Sequence, residues 1–244
     1  GIIIGPRGSV YRDPATGKDI TLGNSWKADV IIDKSYPENS HLENYRDFAL
    51  YFQDEDNILG TSFMPYLQNV AGLTGVNYRL EPWTYREDEG CELGNMFTAC
   101  VAGDSDPATP TIKAHAGDNV MINVFGAHNE QNQMFNVDGH QWRRHLNQPG
   151  SDMIDVEEFG GSEYIQAFFN AGGTYKNPGT YLWMNARTPY QQAGQWGYMK
   201  VLPSGDRSIL PLGKATVKGV KTASQPKEGE KSASKVGDDK LSMR

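Results

Sequence analysis

An all-β sandwich or barrel is the fold class this sequence predicts, and three observations predict it. Glycine and proline number 27 and 13 in 244 residues, too many turn formers for a helical bundle. Apolar residues make up 38%, enough for a core and too many for a disordered chain. The apolar residues also fall in short β-branched and aromatic runs separated by Gly, Pro and Asn, not in helical periods.

The elements follow in order. GIIIGPRGS opens as a β-branched strand, Ile2 to Ile4, framed by Gly1 and Gly5 and stopped at Pro6. Residues 6–44 carry turn signals at Asp13-Pro14, Thr16-Gly17 and Tyr36-Pro37 and one short apolar run, Ala28 to Ile32. They read as a linker holding one strand. A main domain over 45–203 begins with the strand FALYFQDED. Within it, TIKAHA and NVMINVFG flank Ala116-Gly117-Asp118, which predicts a β-hairpin. The runs NQMFNVDGHQW, EYIQAFF, GTYLWMNAR and WGYMKVLP predict further short strands. Residues 204–244 are rich in Lys, Ser and Gly, cannot bury enough surface to offset their ordering entropy, and are expected to be a disordered tail of which only SILPLG packs on the body.

Charge narrows the partners. The net charge is −7, but residues 213–244 hold eight basic and four acidic groups, so the rest of the chain carries −11. So acidic a body repels phosphate and argues against nucleic acid. No apolar run approaches the ~20 residues that cross a bilayer, so no membrane span is expected, and any export signal is expected to have been removed already. The two cysteines, Cys91 and Cys100, are too few for a zinc site and are not spaced as a C-x-x-C redox turn. A local disulfide, which implies an oxidising compartment, is the first reading; two unlinked thiols are the alternative.

The segments DPATPTIKAHAGDNVMINVFGAHNEQNQMFNVDGHQW and GTYLWMNARTPYQQAGQWGYMKV resemble the two ends of a cupredoxin domain of the multicopper oxidase superfamily. GIIIGPRGSVYRDPATG resembles the last strand of a preceding cupredoxin domain and its linker, and NYRDFALYFQDED the first strand of the next, so the resemblance covers about residues 1–203. It implies a cupredoxin-like Greek-key β-sandwich, with Gly1 to Gly5 resembling the closing strand of a preceding domain; the strand is expected to pair with a sheet that another polypeptide supplies, the alternative being that it folds back onto its own sandwich as an extra edge strand.

The family binds copper through H-x-x-H-x-H-G and H-C-H-x-x-x-H-x-x-x-G-M. Laid on Gly139, the first motif falls on Gln133, Asn136 and Asp138; laid on Gly194, the second falls on Met184, Asn185, Ala186, Tyr190 and Gln195. None is His or Cys. A type 1 copper needs two imidazoles and a thiolate, so no copper site is expected in this chain, and any copper belongs to an attached domain or partner.

Other chemistry is thinly signalled. His140 and His145 are an odd number of residues apart, on opposite faces of a strand, and read as structural or surface residues. Asp138 shares the His140 face and would raise its pKa as a carboxylate neighbour. Asn129, Glu130, Asn132, Asn136 and Asp138 offer oxygen ligands for calcium without EF-hand spacing, and read as solvated loop. The aromatics from Trp142 to Tyr198 read mostly as core, with a sugar platform the lesser reading. There is no G-x-S-x-G elbow, P-loop or G-x-G-x-x-G after a strand. The expected role is a non-catalytic structural or partner-binding subunit or fragment in an extracytoplasmic (periplasmic, secreted or cell-surface) homo- or hetero-oligomeric assembly. The alternative is the C-terminal part of a multicopper oxidase, a copper-dependent oxidoreductase whose copper sites lie in other domains or chains.

Overall fold

Inward-facing residues alternate with outward-facing ones along every long strand, and this closes two sheets face to face. The computed structural model describes residues 3–54, 74–101, 106–129 and 131–213. The first sheet runs β1 (Val10–Arg12), β2 (Lys27–Ile31), β3 (Tyr45–Asp54), β6 (Asn119–Asn129), β11 (Tyr164–Asn170), with β4 (Gly75–Val76) added to the end of β3. The second runs β10 (Val156–Phe159), β7 (Gln133–Val137), β12 (Gly179–Asn185), β13 (Trp196–Leu202), β5 (Ile112–His115). A small ribbon pairs β8 (Trp142–Arg143) with β9 (Met153–Ile154), and two short helices, α1 (Trp83–Asp88) and α2 (Thr188–Gln192), lie in connections. Most pairs are antiparallel, whereas β3 with β6 and β5 with β13 are parallel. The chain is an all-β sandwich of two sheets, as expected.

The core is the space between the sheets. Phe48, Leu50 and Phe52 of β3, Ile122 and Val124 of β6, Phe135 and Val137 of β7, Trp183 of β12 and Met199 of β13 meet there with Trp142. Phe52 anchors it, with edge contacts to Phe135, Phe159 and Trp183. Gly197 lies beneath the Trp183 indole, where a Cβ would come within 2.4 Å of the ring. Gly194 turns the chain at φ +112°, with the Glu81 main chain 2.6 Å from any Cβ. These two contacts account for the glycines of GQWG.

Three local expectations are altered. TIKAHA and NVMINVFG do not pair with each other: β5 joins β13 in one sheet, and β6 joins β3 and β11 in the other. Their connection crosses the sandwich because the Asp118 carboxylate accepts from the His115 N–H at 2.8 Å and from buried Arg46, fastening the turn to the first sheet. The 6–44 segment carries two strands, β1 and β2, rather than one; β2 hydrogen-bonds onto the β3 edge and β1 onto β2. That pairing satisfies an edge that would otherwise lie open. Residues 204–213 lie against the body: Arg46 donates to the Leu210 carbonyl, Asn44 to that of Gly213, and Leu210 N–H to that of Pro14. The rest of the expected tail, 214–244, lies outside the described residues, as do Gly1 and Ile2. Ile3, Ile4 and Gly5 are in no strand.

Candidate functional site

The same alternation that builds the core carries polar side chains to one end of it. On β3 the inward series Phe48, Leu50, Phe52 continues to Asp54; on β7, Val137 and Phe135 lead to Gln133; on β12, Trp183 leads to Asn185. Gln195 immediately precedes β13, and Tyr190 is supplied by α2. Asp54, Gln133, Asn185 and Gln195 are each fully buried, and Tyr190 is 1% exposed.

The three side-chain amides and the Asp54 carboxylate are spent on one another, with the Tyr190 phenol buried beside them. The Asn185 amide donates to Gln133 Oε1 and, at 2.7 Å, to Gln195 Oε1, while its oxygen accepts from the N–H groups of Met134 (3.2 Å) and Arg187 (3.0 Å). Gln195 donates to Thr74 Oγ1 at 2.8 Å and to the Gln53 carbonyl at 3.0 Å. Gln133 donates to Asp54 and to the Gln131 carbonyl. Burial, and then the neighbouring Asp54 carboxylate, push the Tyr190 phenol well above its ordinary range. The network therefore ties β3, β7, β12 and the start of β13 together, which makes a buried polar cluster compatible with a stable core.

Four of the eight motif positions, Gln133, Asn185, Tyr190 and Gln195, thus converge. The other four do not. Asn136 donates to the Asp155 carbonyl at 2.8 Å, Met184 sulfur faces Gln191, and Asp138 and Ala186 are exposed. A blue-copper centre takes two imidazoles, a thiolate and a weak axial ligand. The converging side chains are three carboxamides and a phenol beside one carboxylate, a donor set that does not fit it. Among the described residues no group of three or more His, Cys, Asp or Glu could hold a metal ion. The oxygen-rich loop is also dispersed, with Asn132 bonded to Glu158 and Glu130 outside the described residues.

His140 is buried and neutral in its bonding: Nδ1 donates to the Asp138 carbonyl at 2.8 Å and Nε2 accepts from Gly172 N–H at 3.0 Å. Burial pushes its pKa down. The expected upward shift from the Asp138 carboxylate is corrected, because the contact is to the main chain and the carboxylate is exposed. His145 is exposed and separate. Of the aromatics, Trp142, Trp183 and Trp196 are core, but Tyr164 is 48% exposed on the outer face of the first sheet.

The disulfide is formed between Cys91 and Cys100, with Cα atoms 5.5 Å apart. Its loop is held from inside by Arg86, which the sequence did not single out. The fully buried guanidinium pairs with Glu81 at 3.1 Å, lies 4.8 Å from the Trp196 ring centre, and donates to the Met96 and Thr98 carbonyls at 2.9 and 2.8 Å. Asp54 was legible in principle from the alternation of β3; Arg86 had no such signal.

No family model and no curated relative matches the chain. Among solved structures, a multicopper oxidase from Pediococcus acidilactici is similar at TM-score 0.41 and 8% identity, covering 66% of this chain and 27% of that one. A multicopper oxidase variant from the hyperthermophile Aquifex aeolicus follows at 0.40 and 13%, covering 64% and 29%. A copper nitrite reductase from Nitrosomonas europaea is similar at 0.38 and 13%, covering 65% and 42%. The chain thus spans less than half the length of each, and its structural neighbours are multicopper oxidases and a copper nitrite reductase.

Proposed function

We propose that this chain is a non-catalytic cupredoxin-like subunit or fragment with a structural, partner-binding role in an extracytoplasmic assembly. The observation that carries this reading is the convergence of Gln133, Asn185, Tyr190 and Gln195, all at copper-motif positions, into one buried cluster in which the three carboxamides hydrogen-bond one another. Carboxamides there cross-link strands from both sheets, a structural job that needs no metal. The Cys91–Cys100 disulfide supports an oxidising compartment. For the partner, the support is the amino-terminal segment: Ile4 is 89% exposed, and residues 3–5 belong to no strand. A β-branched segment of this kind is suited to strand addition onto a sheet of another polypeptide, a cleaved upstream half or a separate subunit.

Metal analysis and visible absorption of the purified chain, beside the native complex, test the reading, together with assembly of a chain lacking residues 1–5. A colourless, redox-silent chain whose deletion variant folds but fails to assemble is the expected result. A blue chain with stoichiometric copper overturns it. Copper present in the complex and missing from the chain would favour the C-terminal part of a multicopper oxidase with its metal sites elsewhere.

A further inference from the structure

The outer face of the first sheet plays no part in the amide cluster. Alternation on β3 turns Tyr45, Asp47 and Tyr51 outward as Phe48, Leu50 and Phe52 turn inward. Asp47 is only 5% exposed, yet among the described residues its side-chain partner is an amide, that of Asn123, and not a cation. Asn123 is itself 1% exposed and accepts from Tyr164 Oη at 3.1 Å and Gln166 Nε2 at 3.2 Å. The phenols of Tyr11, Tyr45, Tyr51 and Tyr164 are all raised, by burial first and also by the Asp47 charge, which all four feel. Beside this group opens a cleft of about 570 Å³, lined by Tyr11, Trp26, Lys27, Asp47 and Tyr51. Convergent polar groups among aromatic walls are what a small-molecule site looks like.

We infer that this cleft, floored by Asp47 and walled by Tyr11, Trp26 and Tyr51, binds one pyranose ring of a neutral saccharide. A pyranose presents an apolar C–H face, which suits an aromatic ring, and a rim of hydroxyls that both donate and accept. Asp47 accepts from such a rim and Lys27 donates to it. An organic cation fits less well, because Lys27 Nζ already lies 5.5 Å from the Trp26 ring centre and repels a second positive charge. A purely apolar ligand would strip the remaining water from the carboxyl with nothing in return.

The test is a titration of the full chain with the methyl pyranosides of glucose, galactose, mannose and N-acetylglucosamine and with their β-1,4-linked oligosaccharides. Tryptophan fluorescence and calorimetry report binding to the wild type, Asp47→Asn and Lys27→Met. Saturable binding of at least one sugar at millimolar concentration is expected, weakened at least about tenfold by Asp47→Asn, with wild-type circular dichroism in both variants. Equal affinity for monosaccharide and oligosaccharide identifies a free sugar as the source, and a tighter oligosaccharide identifies a glycan. No saturable binding, binding unchanged in both variants, or binding of tetramethylammonium in place of sugar overturns the inference.

Discussion

Asn185 is the hub of the buried amide cluster, and replacing it with alanine removes two donors and an acceptor at once. Gln133 Oε1 and Gln195 Oε1 each lose a donor, and the N–H groups of Met134 and Arg187 lose their shared acceptor. A buried polar group left without a partner costs about 1–3 kcal/mol. Gln133 and Gln195 are fully buried, so both losses count in full, while Met134 and Arg187 belong to partly exposed residues where water can substitute. The expected destabilisation of Asn185→Ala is on the order of 4 kcal/mol. Urea unfolding followed by circular dichroism measures it as a fall in the midpoint at unchanged slope. Combining it with Gln195→Met should cost less than the two single changes together, because both act on one hydrogen-bonded unit. A single-variant loss below about 1 kcal/mol, or strict additivity in the pair, would refute the cluster as a cross-link between strands.

Three further outcomes are expected. Burial pushes the Asp47 carboxyl from 3.8 up to about 7, so the folded state holds a proton that the unfolded state has lost. The Asp47 contribution to stability should therefore fall as pH rises from about 4 to about 7, by up to about 4 kcal/mol, and Asp47→Asn should remove that share of the profile in unfolding titrations, leaving the fall that Asp29, raised to about 6 by burial, contributes in the same range. Reduction of Cys91–Cys100, which closes a loop of sequence separation 9, should lower stability by about 2–3 kcal/mol, checked by denaturation with intact mass confirming two free thiols. Arg86→Met leaves the Glu81 carboxylate, 6% exposed, without its cation, and should cost about 3–5 kcal/mol by thermal melting.

The strands and the core were legible from residues alone because burial alternates with period two, a property each segment displays by itself. FALYFQDED, NQMFNV and GTYLWMN announce their inward series, and the framework words around Gly139 and Gly194 place the copper motif on eight residues that are neither His nor Cys. Pairing partners were not legible in the same way. TIKAHA and NVMINVFG carry a good hairpin pattern, yet each finds a different sheet, because the pattern records which face is apolar and not which strand lies alongside. What the sequence by itself determined is therefore the all-β class, the disulfide candidate and the unusual occupancy of the motif positions. Only the tertiary structure decided that Gln133, Asn185, Tyr190 and Gln195 meet while Asn136, Asp138, Met184 and Ala186 do not. It also decided that Asp54 joins the first group and that Arg86 and Asp47 are buried. The physical reason is that hydrogen bonds such as Gln133 with Asp54, 79 residues apart, and Gln195 with Thr74, 121 apart, are set by how two sheets stack, and no local window contains both partners.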